Sequence, residues 1–336
     1  MILQKNKFVS YLTVLSIGIS GLIGCGGGGS DGSGGTTSLT YSGLNTPAVI
    51  TKDNAHEIAI NAYTSGETTG GLVGIASLDN DDQDTQKLKT SSLFKVSQIA
   101  RGVVERIDPV SAPDQVGPMA IVKESESLHG SCGGNASFTI QVNDETGFFS
   151  GTLSFNGYCE GGVTINGDTD FSGKVDLQDY EMTSMTLRFD EMTSTSGSEF
   201  TLMEGEMRFD IAEDTSSITM DLLFQDSVDE LVYKIENYQM MIVDQYSQTE
   251  IEISGRFFDP YYGFIEITTI STFHVRSTDE FPYTGSFVAD GENGIEGGPT
   301  SVRLTAIDQT RCLVEADTDG DGLYDDYSET MFWTDF

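Results

Sequence analysis

The residues best equipped for chemistry lie near the C-terminus, in Asp317-Thr318-Asp319-Gly320-Asp321-Gly322-Leu323-Tyr324-Asp325-Asp326. Aspartates at the first, third and fifth places, followed by glycine, make the first half of a calcium loop. The alternation turns three hard carboxylates inward, and glycine permits the sharp turn. The seventh place would offer the Leu323 carbonyl, and the ninth is Asp325. The twelfth is Ser328, where a complete loop has a bidentate glutamate, and Glu329 comes one place late. Two readings stand. Asp317, Asp319, Asp321, Leu323 and Asp325 hold Ca²⁺, or they form a bare Gly-Asp-rich turn between Arg311–Ala316 and Met331-Phe332-Trp333.

No other group of residues stands out as a reaction centre. With 53 acidic residues, carboxylate pairs occur everywhere and none is informative. The histidines are His56, His129 and His274, and His56-Glu57 has Ile60 where a metalloprotease helix needs its second histidine. Gly28-x-Ser30-x-Gly32 matches a nucleophile elbow only through low complexity, with no strand before it or helix after it. Phe257-Phe258 and Tyr261-Tyr262 read first as core aromatics, with a sugar-stacking platform as the alternative. A non-enzymatic protein is therefore expected. The net charge of −36 repels nucleic acid and anionic headgroups, and nucleic acid is excluded as a partner. That charge serves solubility, or, on the sharper reading, cation binding.

At the other end of the chain, Lys5 and Lys7 precede an apolar run from Phe8 to Ile23 that closes on Leu22-Ile23-Gly24-Cys25. This resembles the signal and lipobox of a bacterial lipoprotein. The resemblance implies that residues 1–24 are cleaved and that Cys25 carries diacylglycerol, with acyl chains such as palmitate holding the protein to a membrane. Gly26 stands where the family's inner-membrane retention signal has Asp, which implies the outer membrane, on its periplasmic face or at the cell surface. Residues 25–40 are Gly- and Ser-rich and read as a flexible tether. An exported compartment permits disulfides. Cys132 and Cys159 flank one predicted hairpin and are the natural pair, leaving Cys312 as a small buried hydrophobe.

Cys132-Gly133-Gly134, Phe155-Asn156-Gly157-Tyr158-Cys159 and Thr164-Ile165-Asn166-Gly167 resemble a pattern of uncharacterised proteobacterial envelope lipoproteins. Gly255-Arg256-Phe257, the run from Gly263 to Thr269 and the terminal Asp-rich loop resemble the same group. The resemblance supports the location and the disulfide and implies no catalytic residues. The Asp-rich loop itself resembles shorter loops of exported proteins in which calcium clips a turn.

These residues must be carried by a scaffold, and hydropathy periodicity outlines it. Ala55 to Tyr63 reads as a short helix, capped by Thr51 or Asp53 and stopped by Ser65-Gly66. Residues 64–86 read as loop. Leu93, Val96, Ala100, Val103 and Ile107 put one apolar face on a second helix between Lys87 and Ile107. From about Ala136 the period becomes two, as in Ser137–Val142, Ser184–Phe189 and Glu206–Ile211. Such alternation implies an antiparallel sheet with one wet face. Gly167, Gly205 and Gly255 echo one another at unequal spacing, which points to repeated hairpins in one sheet.

The expected fold is mainly β: a large antiparallel meander, as a curved sheet, half-barrel or sandwich, with a small helical part packed on it. Residues 41–130 form the helical and loop part and 131–336 the β domain. The expected function is a lipid-anchored envelope protein acting as a non-enzymatic binding or structural scaffold, with an envelope protein as partner. The alternative is a carrier or sensor of hydrophobic acyl-chain ligands, and a hydrolase of envelope polymers ranks third. An apolar cavity under the helix would favour the carrier, and a filled core the scaffold.

Overall fold

The computed structural model describes residues 38–70, 92–105, 121–178, 181–197, 199–212, 215–227, 230–245, 247–279 and 281–335. The signal segment, Cys25 and nearly all of the tether lie outside these residues, as do 71–86 of the expected loop and both ends of the expected second helix, 87–91 and 106–107.

Two helices, α1 (Ala55–Gly70) and α2 (Ser92–Glu105), precede the sheet. Its first seven strands are β1 (Ile121–His129), β2 (Gly133–Asn143), β3 (Phe148–Glu160), β4 (Val163–Val175), β5 (Met182–Ser196), β6 (Glu199–Ala212) and β7 (Thr215–Asp226). The rest are β8 (Val232–Gln245), β9 (Gln248–Asp259), β10 (Gly263–Arg276), β11 (Thr284–Asn293), β12 (Pro299–Asp308), β13 (Arg311–Asp317) and β14 (Tyr327–Phe332). They pair antiparallel in chain order as one sheet, and β1 does not pair with β14, so the meander is open. Strand β1 extends the sheet into the segment read from sequence as helix and loop.

Alternation assigns the two faces. On β5, Met185, Leu187 and Phe189 are buried, whereas Arg188 and Asp190 between and after them are exposed. A sheet of more than about ten strands curls, splits into two packed layers or flattens. This one keeps both helices on its apolar face: α1 packs on β9, β12 and β13, and α2 on β4 and β5. Ile58, Ala59, Ala62 and Tyr63 of α1 and Val96, Ala100, Val103 and Val104 of α2 recur at helical spacing. They join the inward residues of the strands in one buried cluster.

The helix ends differ from the sequence reading. Asn54, not Thr51 or Asp53, takes the N-cap position: its carbonyl accepts the Ile58 N–H. Its side-chain Oδ1 turns back to the Thr51 N–H at 2.7 Å. Helix α1 also runs through Ser65-Gly66 to Gly70. One interior glycine costs only about 1 kcal/mol, which packing of the buried side of α1 outweighs.

A line of bulges crosses the middle of the sheet. Gly157, Glu191 and Asn237 have φ of 60°, 49° and 49°. Gly157 and Glu191 sit at register shifts on either side of Gly167, on β3 and β5. Gly205 pairs with Phe189 at the edge of the Glu191 shift, and Asn237 sits at the shift opposite Gly255. A bulge adds local twist and bends the strand. Here the bend recurs from strand to strand, and it accounts for the echoed glycines. A Cβ on Gly255 would lie 2.5 Å from the Tyr238 Cα.

The N-terminal segment also takes part. Leu39 N–H and Ser38 Oγ–H donate to the Glu204 carboxylate on β6 at 2.8 and 3.0 Å. Tyr41 meets Phe258 edge-on. Pro47 then bridges Phe264 in parallel, and Ala48 bonds both Phe264 and Glu292. The segment is thus held between the start of β10 and the end of β11 before it enters α1.

Candidate metal centre

Strand β13 ends in Asp317, which is 1% exposed. Its Oδ1 accepts the Gly320 N–H and its Oδ2 the Gly322 N–H, both at 2.7 Å. These glycines have φ of 81° and 86°, a backbone that disfavours any side chain, so the turn needs them. The next two aspartates repeat the device. Asp319 Oδ1 accepts the Asp321 N–H at 3.2 Å, and Asp321 Oδ1 accepts the Leu323 N–H at 2.7 Å. One oxygen from each of Asp317, Asp319 and Asp321 lies within 4.8 Å of the others.

Neighbouring loops brace this one. Glu296 N–H donates to the Asp319 carbonyl at 3.0 Å, and Gly298 N–H to the Gly320 carbonyl at 3.1 Å. On the far side, Asp326 Oδ2 accepts the Thr318 N–H and hydroxyl at 2.9 and 2.8 Å. Lys52 Nζ lies 3.3 Å from the other Asp326 oxygen. The Thr318 hydrogen bonds, then the Lys52 charge, hold the Asp326 carboxyl below its ordinary value. The Asp319 carboxyl is pushed up, first by desolvation and then by repulsion from Asp321, Asp326 and Asp317. A divalent cation would relieve that repulsion.

The loop therefore brings together three of the four expected carboxylates. Asp325 is exposed and stands outside the trio. The Leu323 side chain is exposed and its N–H donates to Asp321, while the expectation for Leu323 concerns its carbonyl. Asp326 and Lys52 were not legible as participants. Lys52 is distant in sequence, and only the entry to α1 carries it to the loop.

The cysteines pair as expected: Cys132 and Cys159 form a disulfide with Cα atoms 5.0 Å apart, closing the β1–β2 turn onto β3. Cys312 is fully buried on β13. Of the aromatic pairs, Phe257 lies in the core. Phe258 is on the wet face but is covered, with Lys234 Nζ 4.5 Å from its ring centre. Tyr261 is 64% exposed, and the Tyr262 hydroxyl donates to Glu57 at 2.6 Å.

Cavities open on the wet face among the described residues. One of about 710 Å³ is lined by Thr, Ser and Gln residues of β2–β5 together with Asp170 and Arg188, and also by Ile140, Gly151 and Phe171. Another, about 510 Å³, continues from Asp170 and Arg188 onto Asp190, Glu204, Glu206 and Asp221. Comparison of the chain with protein families, with curated proteins and with solved structures finds no match.

Proposed function

We propose that this chain is a lipid-anchored envelope protein whose curved sheet is a non-enzymatic scaffold presenting its wet face for binding. The observation that carries this reading is the filling of the apolar face. Side chains of α1 and α2 and the inward residues of β2–β14 form one cluster of buried side chains. A carrier needs that space for an acyl chain, so the packing counts against the carrier. The wet face is left as the surface the molecule offers. Calcium at Asp317, Asp319 and Asp321 would clip the β13–β14 loop to the β11–β12 turn, as part of the scaffold and not of a reaction centre. The Cys25 anchor places the body at the outer membrane, within reach of an envelope partner.

Native mass spectrometry of the full chain extracted from its own membrane tests this. The expected species carries covalent acyl chains on Cys25 and no additional lipid. A stoichiometric, non-covalently held lipid that survives desalting would overturn the scaffold in favour of the carrier.

A further inference from the structure

We propose that the wet face of β2–β5 is a binding site for an extended neutral glycan. The proposal rests on the scaffold reading in taking this face as the one presented, and it adds the class of ligand. The cavity of about 710 Å³ is the size of a small-ligand site. Register arranges its side chains in cross-strand rows. Thr139, Thr152, Asp170 and Arg188 are successive partners across the four strands. Gln141, Ser150, Ser172 and Thr186 form the adjacent row. Neighbouring strands lie about 4.8 Å apart, close to the repeat of an extended pyranose chain. A glycan lying across the strands would meet a fresh pair of polar side chains at each sugar.

The chemistry of the rows selects a polyol. Hydroxyls and the Gln141 amide both donate and accept, as sugar hydroxyls do. The Thr139 and Thr152 hydroxyls are 2.8 Å apart, and Gln141 Nε2 donates to Ser150 Oγ at 3.0 Å. These contacts orient the side chains and leave each hydroxyl further hydrogen-bonding capacity. Arg188 is met by Glu206 at 2.7 Å and faces Asp170, so this part of the groove presents no unpaired cation. An acyl chain would find polar outward side chains, and a polyanion is repelled by a chain of net charge −36. At the end of the β3 row, Phe148 is 60% exposed on the same face. Its ring offers a stacking surface for a sugar, beside Lys174 at 5.8 Å from the ring centre. Because the rows stand on long paired strands, little ordering cost attends binding.

Affinity electrophoresis of the detergent-solubilised full chain tests the proposal, in gels containing dextran, laminarin or mannan, with heparin and poly-L-lysine gels for comparison. Retardation is expected in at least one neutral-glycan gel. Thr152→Val/Thr186→Val should weaken that affinity about tenfold, for two lost hydrogen bonds, and Phe148→Ala by a similar factor. Thr268→Val, exposed on β10, should leave it unchanged. Melting temperatures check folding, and Ser150→Ala/Ser172→Ala replaces the double valine variant if that variant melts lower. Migration unaltered by all three neutral glycans, or retardation that survives the groove substitutions, overturns the proposal. So does retardation by heparin or poly-L-lysine alone. Lipid content is read separately by mass spectrometry, so such a result leaves the scaffold reading standing.

Discussion

Asn61 of α1 donates from Nδ2 to Oδ2 of Asp259 at 3.0 Å, tying the helix to the turn after β9. The other Asp259 oxygen accepts the Tyr261 and Tyr262 N–H groups at 2.8 and 3.1 Å. The Asp259 carbonyl accepts the Tyr41 hydroxyl at 3.0 Å. One 4%-exposed residue thus gathers the N-terminal segment, α1 and the β9–β10 turn. Its carboxyl is pushed up, chiefly by desolvation, which these hydrogen bonds only partly offset.

The sign of the pH dependence follows. A carboxyl raised in the folded state contributes stability that is full below its unfolded value, about 3.9, and is lost as pH rises through the folded value. Asp259→Asn removes the titration, and Asn61 can turn its amide to keep the contact. Wild-type stability should fall relative to Asp259→Asn as pH rises from about 4 toward neutrality. Parallel urea-unfolding profiles of the two proteins over that range would contradict this.

Calcium should raise the melting temperature and EDTA should lower it. Binding of roughly 10⁻⁴ to 10⁻³ M suits a loop lacking the twelfth-place glutamate. At ten times Kd the stabilisation is about 1.4 kcal/mol, a shift of a few degrees. Acid should weaken the effect, because the raised Asp319 carboxyl protonates early. Mg²⁺ at equal ionic strength controls for screening of an acidic protein. If Ca²⁺ and Mg²⁺ shift the melt equally, and Asp319→Asn/Asp321→Asn changes nothing, the loop is an acidic turn.

Opening the Cys132–Cys159 bridge, which spans 27 residues, should lower stability by about 3 kcal/mol in the chain-entropy description. Denaturant melts with and without reductant measure it. A loss under about 1 kcal/mol would mean that the reduced, unfolded chain already keeps Cys132 and Cys159 close together.

Two glycines should respond oppositely to alanine. Gly255→Ala meets the Tyr238 backbone at φ of 132° and should cost more than about 2 kcal/mol. Gly102→Ala, on α2 with nothing within 4 Å of its added methyl, should gain about 0.5–1 kcal/mol. Equal effects of the two substitutions in chemical melts would remove the bulge line as a structural requirement.

Cys25→Ser should abolish incorporation of labelled palmitate and release the protein from the membrane fraction. Label retained by the serine variant would show that the anchor lies elsewhere.

Much of the sheet was legible because each strand has one dry and one wet side, and period-two hydropathy records that directly. Strand β8 escaped. Its inward residues are Ile235, Tyr238, Met240 and Ile242, and the bulge at Asn237 breaks the alternation between the first two. Strand β11 carries five buried residues in succession, Gly285–Ala289, so it offers no period to read. The end of α1 was misplaced because Ser65-Gly66 is a strong local stop, whereas packing of the helix on β9, β12 and β13 is not local.

By itself the sequence determined the alternating strands, the cysteine pair across one hairpin and the Asp-Thr-Asp-Gly-Asp run, because each is written within a few adjacent residues or one hairpin. Tertiary structure alone decided what those elements meet. Register brought Thr139, Thr152, Asp170 and Arg188 into one row from four strands. The crossing of the N-terminal segment between β10 and β11 carried Lys52 to Asp326. Relations of this kind depend on strand order and on the bends along the bulge line. They arise from the summed packing of a whole sheet, and no short stretch of sequence contains them.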